Sequence, residues 1–398
     1  MLKDKCVVLG VTGSIAAYKI ASLASALVKL HADVHVIMTK NATNFINPIT
    51  FETLTKNKCL VDTFDRDFSF DVKHVSLAKK ADIMMIAPAS ANIIGKIANG
   101  IADDMLSTVV MATKAPIYIS PAMNTAMLEN PIVQDNIKKL EGYGMHIIDP
   151  ASGFLACRDT GKGKMPEPEQ LLSHILYEIA CKKDLAGKNV LVTAGPTMEA
   201  IDPVRFITNH SSGKMGYAIA KNASYRGANV YLVSGPTNLP DILNVNMIRV
   251  NSAKEMADET FALMDKIDYF FLSAAVADFT PKEVADSKIK KGDGTGMSIE
   301  LQRTTDILKT LGEKKRSNQF LCGFCMETED LVKNAKEKLA KKKADLIVAN
   351  SLKTEGAGFG TDTNVVTLIS SDAENELPIL TKDEVAGRII DKALSMHR

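Results

Sequence analysis

A glycine-containing turn near the start of the chain is the first segment whose residue types and spacing could do chemistry. The segment Gly10-Val11-Thr12-Gly13-Ser14-Ile15-Ala16 directly follows a short apolar run. Glycines allow a close approach to a ligand, and the N–H groups that begin a following helix attract an anion. The spacing is not GxGxxG, and Met38-Thr39-Lys40 stands where an acidic residue would bind an NAD ribose. The turn therefore favours a monophosphate, such as that of FMN, over a dinucleotide.

Three segments of the first half carry candidate acid–base and polar groups. Asn124 lies in Pro121-Ala122-Met123-Asn124-Thr125-Ala126-Met127, and Cys157 lies in the glycine-spaced loop 153–166. A thiol with a reference pKa of about 8.5 is mostly protonated at neutral pH and can donate a proton. His74 opens a helical stretch and is a candidate base because its charge changes near neutral pH. A lone histidine at such a position is more often a cap or a surface residue.

The second half has its own candidates for binding phosphate. Ser211 to Gly216 predicts a helix start that could hold an anion. The Gly213-Lys214 pair is not a P-loop, because the upstream glycine is missing and Met215 follows the lysine. Asp278 follows a predicted strand and suits Mg²⁺, and Lys288 precedes further lysines and glycines. Lys338 and Lys342 share one helical face, although a solvated face explains a charge run equally well.

The pair Cys322 and Cys325 has CxxC spacing within an apolar run. Residues three apart on a strand point to opposite faces, and no second pair completes a zinc site. We therefore expect both cysteines to pack in a core and to bind no metal.

These candidates require a repeated βαβ scaffold. Short apolar runs read as buried strands, and the stretches between them have helical spacing. In the first half the strands are Cys6–Leu9, Val34–Met38, Ile83–Ala87 and Ile117–Ser120, and the helices are Ile15–Leu30 and Ile93–Met111. In the second half the strands are Val190–Thr193, Val230–Val233, Tyr269–Ser273, Phe320–Gly323 and Leu346–Ala349, and the helices are 214–226, 253–266 and 329–344. The pattern predicts two doubly wound α/β domains with parallel sheets.

A polar joint separates the two patterns. The helix-like segment Glu169–Cys181 is followed by Lys182 to Lys188, after which the strand pattern restarts. We place the domains at 1–187 and 188–398. Each domain has a glycine turn after its first strand, so each is expected to bind its own phosphate-bearing ligand at the strand carboxyl ends.

Bulk properties narrow the classes of partner. The 398 residues include 46% hydrophobic and 24% charged residues and carry a net charge of +1, which is ordinary for a globular enzyme and gives no reason to bind nucleic acid or an anionic membrane. No signal segment or membrane-spanning run is visible. Six scattered cysteines do not form a disulfide framework. We expect a cytoplasmic protein.

The first half resembles the phosphopantothenoylcysteine decarboxylases, which are flavodoxin-like flavoproteins. The resemblance rests on the Gly13-Ser14 turn, His74, the Pro88–Asn92 segment, the Pro121–Met127 segment and the Cys157 loop. It implies that FMN oxidises the substrate thiol so that carbon dioxide can leave, and that Cys157 is the acid that protonates the neighbouring carbon. It also implies roles for His74 as base, for Asn124 and Met127 in substrate binding, and for Gly13, Ser14, Thr39, Ser90 and Asn92 in flavin binding.

The second half resembles the phosphopantothenate–cysteine ligases. Arg205 to Gly216, Ser273 to Phe279, Lys288 to Lys291 and Gly323 to Glu327 carry this resemblance. It implies an acyl-cytidylate made from 4′-phosphopantothenate and CTP, which the amine of cysteine then attacks. The implied site comprises catalytic Lys288 and Asn209, Asp278 for Mg²⁺ or nucleotide, Arg205, Ala274 and Ala275 for substrate, and the nucleotide-pocket residues Thr305, Asp306, Ile307, Leu308, Phe324, Lys338 and Lys342.

The fusion of these halves resembles the bifunctional bacterial enzymes of coenzyme A biosynthesis, which use CTP. It implies small-molecule substrates and a homo-oligomer with flavin sites at subunit interfaces. Two alternatives remain. One is an NAD-dependent reductase, which would require GxGxxG and an acidic residue about 20 positions later. The other is an inactive flavodoxin-like regulatory protein, against which the retained Cys157 and His74 argue.

Overall fold

The chain folds into two compact units. The computed structural model describes residues 2–63, 73–154, 160–290, 297–327, 330–351 and 360–397. Its contacts divide the chain into Met1–Cys181 and Lys182–Arg398. Within the described ranges, no helix is both long enough and apolar enough to cross a membrane.

The first unit alternates strands with helices. Its strands are β1 (Cys6–Val11), β2 (Asp33–Met38), β3 (Ile83–Ala89), β4 (Ile117–Pro121), β5 (His146–Ile147), β6 (Ala151–Phe154) and β7 (Thr160–Lys164). Its helices are α1 (Lys19–Lys29), α2 (Pro48–Thr55), α3 (Lys73–Lys80), α4 (Ala91–Ala98), α5 (Met105–Ala112), α6 (Thr125–Leu128), α7 (Pro131–Gly142) and α8 (Pro168–Ile179). Short 3₁₀ turns cover Ile15–Tyr18 and Ala42–Asn44.

Five parallel strands form the sheet of the first unit in the order β2-β1-β3-β4-β5. Every residue of β1 and β3 is buried, because helices cover both faces of the sheet. Val7 and Leu9 point into one core and Val8 into the other. This arrangement confirms the predicted parallel α/β scaffold.

The predicted helix Ile93–Met111 is wrong, because two helices occupy that range. Helix α4 ends before Gly100, whose φ of +71° suits glycine. Asp104 then caps α5 by accepting a hydrogen bond from the Ser107 N–H at 2.8 Å. The apolar spacing continues across both helices, so periodicity alone does not reveal the break.

The second unit contains fourteen strands and five helices among its described residues. The strands are β8 (Asn189–Ala194), β9 (Glu199–Ala200), β10 (Phe206–Ile207), β11 (Asn229–Ser234), β12 (Val245–Arg249), β13 (Tyr269–Leu272), β14 (Phe279–Pro281), β15 (Leu301–Arg303), β16 (Phe320–Glu327), β17 (Leu346–Ser351), β18 (Thr363–Asn364), β19 (Val366–Ile369), β20 (Glu374–Glu376) and β21 (Leu380–Thr381). The helices are α9 (Lys214–Tyr225), α10 (Ala253–Ala262), α11 (Ile307–Lys314), α12 (Leu331–Lys342) and α13 (Lys382–Met396), and a 3₁₀ turn covers Met264–Lys266.

The large sheet of this unit has the order β12-β11-β8-β13-β16-β17-β19-β20. Its first six strands are parallel and follow the Rossmann order, with the reversal between β8 and β13. Strands β19 and β20 add an antiparallel edge that the sequence did not predict. Cys322 and Cys325 on β16 are buried in different cores, as their spacing predicted.

The polar joint packs on the second unit. Arg226 contacts both oxygens of Asp184 at 2.6 and 2.7 Å and one oxygen of Asp391 at 2.7 Å. The side chain of Arg226 is largely buried, and these bonds compensate its desolvation. The joint residues are therefore fixed by contacts within Lys182–Arg398.

Candidate functional site

Two loops of the first unit meet where the strand order reverses. The neighbours β1 and β3 have crossovers on opposite sides, which opens a crevice at their carboxyl ends. The buried Thr12 hydroxyl donates to the Pro88 carbonyl at 2.7 Å and accepts from the Ser90 N–H at 3.0 Å. The segments after β1 and β3 thus form one hydrogen-bonded wall.

Gly13 and Ser14 stand at the mouth of this crevice. A Cβ on Gly13 would lie 2.8 Å from the Asn41 Cβ, so a larger residue would displace the segment after β2. The Thr39 hydroxyl accepts from the Ala42 N–H at 3.3 Å and orders that segment. Ser90 precedes α4, and Asn92 is exposed in its first turn. A narrow turn with nearby hydroxyl and amide groups fits the phosphate and ring of a flavin mononucleotide.

Asn124 and Met127 lie beside the hairpin β6–β7. The Asn124 side-chain oxygen caps α6 by accepting from the Ala126 N–H at 2.9 Å, and Met127 is exposed. The Thr125 hydroxyl donates to the Lys162 carbonyl at 2.9 Å, which joins α6 to β7. Cys157 belongs to the connection between β6 and β7 and lies outside the described residues.

His74 lies in the first turn of α3, which leads into β3. A crossover helix runs back along its sheet, so the first residue of α3 lies toward the edge where the strands end. This is the edge that also carries Gly13, Ser90 and Asn124. The structure is therefore compatible with a shared site for these residues.

The second unit has a cavity of about 720 Å³ where β8 and β13 diverge. It is lined by Ala274, Ala275, Asp278, Thr305, Asp306, Ile307, Leu308, Phe324, Lys338 and Lys342, among other residues. All ten were expected at the ligase site, and they come from segments far apart in sequence. Ser211 to Gly216 line the same cavity at the start of α9. Gly213 there has φ +77°, and a Cβ would lie 2.8 Å from the Thr237 methyl group.

Hydrogen bonds and an ion pair hold charged side chains of the cavity in place. Asp306 caps α11 by accepting from the Lys309 N–H at 2.9 Å and forms a close ion pair with Lys342. Burial would raise the pKa of Asp306, but the Lys342 ammonium and the Lys309 N–H hold it below its ordinary value. Lys338 donates to the Phe324 carbonyl at 2.9 Å. Asp278 is exposed at the cavity, so its carboxylate is accessible to a bound ion or ligand.

Asn209, Arg205 and Lys288 are not among the described residues that line the cavity. Asn209 donates to the Ala275 carbonyl at 2.5 Å and accepts from the Ser211 N–H at 2.9 Å, so its amide bridges two parts of the lining. Arg205 donates to the Ile289 carbonyl at 3.0 Å, next to the exposed Lys288. Lys288 belongs to the connection between β14 and β15, whose base at Asp278, Phe279 and Arg303 lines the cavity.

Asn350 and Lys382 are two of the polar cavity residues that were missed from the sequence. Asn350 is buried, and its side-chain oxygen has no hydrogen-bond partner among the described residues. It is the second-last residue of β17 and directly follows the predicted strand Leu346–Ala349, so a polar residue at the carboxyl end of that strand was an available signal. Lys382 is also buried and donates to the Thr361 carbonyl at 2.5 Å. Burial, and then the nearby Lys214 charge, lowers the pKa of Lys382. A lysine that opens a C-terminal helix gives no such signal.

Cys6, Asp33 and His35 form one cluster of potential metal ligands among the described residues, with ligand atoms within 4.8 Å of one another. Lys80 places its ammonium 2.5 Å from Asp33 and 3.5 Å from the His35 ring. This lysine already supplies the positive charge that a metal would bring. Burial raises the pKa of the Cys6 thiol to about 12, so the thiol stays protonated.

Comparisons with known proteins find two family models, one in each half of the chain. The family model "Flavoprotein" matches residues 1–180, and the "DNA/pantothenate metabolism flavoprotein C-terminal domain" matches 185–396. The coenzyme A biosynthesis bifunctional protein CoaBC of Bacillus subtilis is 47% identical and covers 100% of this chain and 98% of its own. That of Borreliella burgdorferi is 43% identical, covering 98% and 99%. A crystal structure of a CoaBC C-terminal domain is 46% identical over 53% of this chain and 96% of that chain, with a TM-score of 0.46.

The two matched regions correspond to the two structural units. The similarity to both CoaBC relatives covers nearly all of this chain and nearly all of each relative. The chain therefore belongs to the family of bifunctional coenzyme A biosynthesis proteins, flavoproteins that join a decarboxylase domain to a phosphopantothenate–cysteine ligase domain.

Proposed function

We propose that the second unit joins 4′-phosphopantothenate to cysteine at the expense of CTP, and that the first unit decarboxylates the product with FMN. The observation that carries this proposal is the cavity between β8 and β13. It combines an exposed carboxylate, two lysines on α12 and a loop rich in N–H groups at the start of α9. Such a combination suits a nucleoside triphosphate with Mg²⁺ and a second, carboxylate-bearing substrate.

In the ligation, the carboxylate of phosphopantothenate attacks the α-phosphate of CTP, and pyrophosphate leaves. The amine of cysteine then attacks the acyl-cytidylate, CMP leaves, and an amide forms. Lys288 and Lys338 would neutralise charge that develops on the phosphates. Asp278 would share Mg²⁺ with the phosphate oxygens, because Mg²⁺ commonly uses one or two carboxylates besides phosphate. Asn209 would hold the Ala275 segment against the acyl group.

In the decarboxylation, Gly13, Ser14, Thr39, Ser90 and Asn92 would hold FMN at the β1–β3 crevice. Bound FMN supplies oxidation of the substrate thiol and the later return of hydride. Residues of the chain carry out the remaining steps, which are substrate binding and proton transfer.

Asn124 would hold the substrate carboxylate through its N–H groups, since its oxygen caps α6. Met127 would contact the substrate beside it. His74 would accept the proton of the substrate thiol. Cys157 would give its proton to the carbon that loses carbon dioxide and regain one from solvent.

The function is tested with one variant on the full chain. Lys288→Gln should abolish formation of phosphopantothenoylcysteine from phosphopantothenate, cysteine, CTP and Mg²⁺, because it removes a charge from the phosphates. The same variant should decarboxylate supplied phosphopantothenoylcysteine at the normal rate. Lys290→Gln removes a charge from the same exposed loop and should ligate normally. A Lys288→Gln chain that ligates at the wild-type rate would contradict the role of Lys288.

The choice of CTP over ATP must come from the base. The lysines and Mg²⁺ contact phosphates that both nucleotides share, so they cannot discriminate. Leaving two polar groups of a pyrimidine site unpaired costs about 1–3 kcal/mol each, or about 2–6 kcal/mol together, which gives about a thirtyfold preference or more. Comparison of kcat/KM for CTP and ATP tests this proposal, and an equal or higher value for ATP would contradict it.

Exposed apolar residues lie in the segments that follow β1 and β2 in the first unit. Ile15 and Tyr18 follow the Gly13 turn and are 57% and 59% exposed, and Phe45 and Ile49 follow β2. A cluster of this kind suits an intersubunit contact. We infer that a second copy of the chain covers it and completes the flavin site. Light scattering on flavin-loaded and flavin-free protein measures the assembly, and a monomer that retains flavin would contradict this inference.

A further inference from the structure

A hairpin turn and the Lys288 loop contact each other in the second unit. Strands β9 and β10 form a two-stranded hairpin, and residues 201–205 form its turn. The turn closes through a 2.8 Å bond from the Ile201 N–H to the Arg205 carbonyl. The Lys288 loop is the connection between β14 and β15, of which residues 282–290 are described at its first end. The Ala285 N–H donates to the Ile201 carbonyl at 3.0 Å and forms the first link.

Asp202 and Arg205 bind the two backbone polar groups of Ile289 in the Lys288 loop. The Asp202 Oδ2 accepts from the Ile289 N–H at 3.1 Å, and the Arg205 Nη2 donates to the Ile289 carbonyl at 3.0 Å. Arg205 Nη1 lies 3.8 Å from Asp202 Oδ2, so the two side chains also attract each other. Fixing both the N–H and the C=O of Ile289 restricts the backbone on which Lys288 stands.

The two oxygens of Asp202 have different tasks. Oδ1 accepts from the N–H groups of Val204 and Arg205, both at 2.8 Å, and shapes the turn. Oδ2 reaches across to Ile289. The Asp202 side chain is 0% exposed, whereas Lys288 is exposed. A buried carboxylate with several N–H partners is therefore joined to the exposed loop that carries Lys288.

Asp202 remains charged under assay conditions. Burial would raise its pKa, but the N–H groups of Val204, Ile289 and Arg205 and the Arg205 charge hold the pKa below its ordinary value. An ionised carboxylate accepts hydrogen bonds more strongly than a neutral group.

We infer that Asp202 is a positioning residue for the ligation: with Arg205, it holds the Ile289 peptide so that Lys288 reaches the phosphates of the nucleotide. This inference rests on the role proposed for Lys288. It adds a residue that is not among the described residues lining the cavity. It also gives Arg205 a task in addition to substrate binding. A transition-state charge is most effective when it is held in place before the reaction, so an unfixed Lys288 should lower kcat more than it raises KM.

Asp202→Asn separates the two tasks of this side chain. Its remaining oxygen can still accept from Val204 and Arg205 and keep the turn. The new N–H₂ group faces the Ile289 N–H and breaks the link to the Lys288 loop. Ligation kcat should fall on the order of tenfold to a hundredfold, with KM for CTP changed less than about threefold. Decarboxylation by the same chain should stay unchanged. Asp286→Asn removes a negative charge from the same loop and is the matched control.

Hydrogen exchange supplies a readout that a general loss of stability would not give. In Asp202→Asn, exchange should accelerate in a peptide covering 285–290, while a peptide from the core strand β8 keeps its protection. An unchanged ligation kcat in Asp202→Asn would overturn the inference, and so would unchanged exchange in 285–290. So would an equal loss in Asp286→Asn.

The outcomes separate this inference from the proposed function. If Lys288→Gln still ligates, the proposed role of Lys288 is wrong. If Lys288→Gln is inactive but Asp202→Asn ligates normally, only the positioning role is wrong. Should Asp202→Asn lower the thermal transition of the second unit, Arg205→Lys provides the second test, because a lysine cannot reproduce the guanidinium geometry at the Ile289 carbonyl. Normal kcat in Arg205→Lys would then overturn the inference.

Discussion

Thr197→Val should impair ligation through the backbone that forms one wall of the cavity. Thr197 is fully buried, and its hydroxyl accepts from the Ala277 N–H at 3.0 Å. Its carbonyl accepts from the Thr208 hydroxyl at 2.8 Å, and its N–H donates to the Ala275 carbonyl at 3.4 Å. Valine has nearly the same shape, so the change removes the hydroxyl while it keeps the volume.

The magnitude follows from the N–H group that loses its partner. A buried donor without an acceptor costs about 1–3 kcal/mol. Ala277 is only half-buried, so water can partly replace the hydroxyl, and we expect about 1–2 kcal/mol. If this cost appears as lost positioning of the segment from Ala274 to Asp278, ligation kcat/KM falls about 5- to 30-fold.

The assay measures ligation and decarboxylation by the same full chain, together with its thermal unfolding. Thr197→Ser keeps the hydroxyl and should retain most of the ligation activity. Thr197→Val should lose ligation and keep decarboxylation. The reasoning is refuted if valine and serine have equal effects, because the hydroxyl would then be irrelevant. It is also refuted if valine leaves both ligation and stability unchanged.

Three further changes affect the first unit. Cys157→Ser should keep flavin absorbance and lose decarboxylation, because a serine hydroxyl is a much weaker acid; normal product yield would contradict this assignment. Gly163→Ala should reduce decarboxylation and spare ligation, because its Cβ would lie 2.3 Å from the Met123 carbonyl oxygen and its φ is +144°. Burial alone would raise the pKa of Asp33, but hydrogen bonds, above all from Lys80, hold it at about 2. Asp33→Asn should therefore destabilise the first unit at pH 7. The difference in the free energy of unfolding between wild type and variant should shrink between about pH 4 and pH 2, as the wild-type carboxylate is protonated. Urea unfolding followed by flavin release measures this difference, and a difference that does not depend on pH would contradict the prediction.

The sequence predicted the strands that bring these sites together better than it predicted the small elements around them. Runs such as Val190–Thr193 and Ile83–Ala87 are buried on both faces, so their apolar character is continuous and easy to recognise. The hairpins β9–β10 and β14–β15 have strands of only two or three residues, and no periodicity can emerge over that length.

The site residues likewise include some that the sequence predicted and one that it did not. Asp278 precedes β14, Phe324 lies in β16 and Lys338 lies on α12. All three were expected at one site, and they line the same cavity. Asp202 was not expected to matter, because its importance comes from a contact with Ile289, which lies far along the chain. Contacts between two irregular loops depend on tertiary packing, which local residue patterns do not encode.

The antiparallel strands β19 and β20 at the edge of the larger sheet affect how readily copies of this chain aggregate. An outermost strand offers unpaired N–H and C=O groups to any other extended chain. Here that strand is β20, and its residues Glu374, Asn375 and Glu376 are all exposed. Neighbouring negative charges repel a second copy of the same edge, and asparagine and glutamate form strands poorly. Replacing both glutamates by valine would leave the cavity untouched but create a short apolar edge prone to aggregation during synthesis. Selection at these positions should therefore act on aggregation rather than on catalysis.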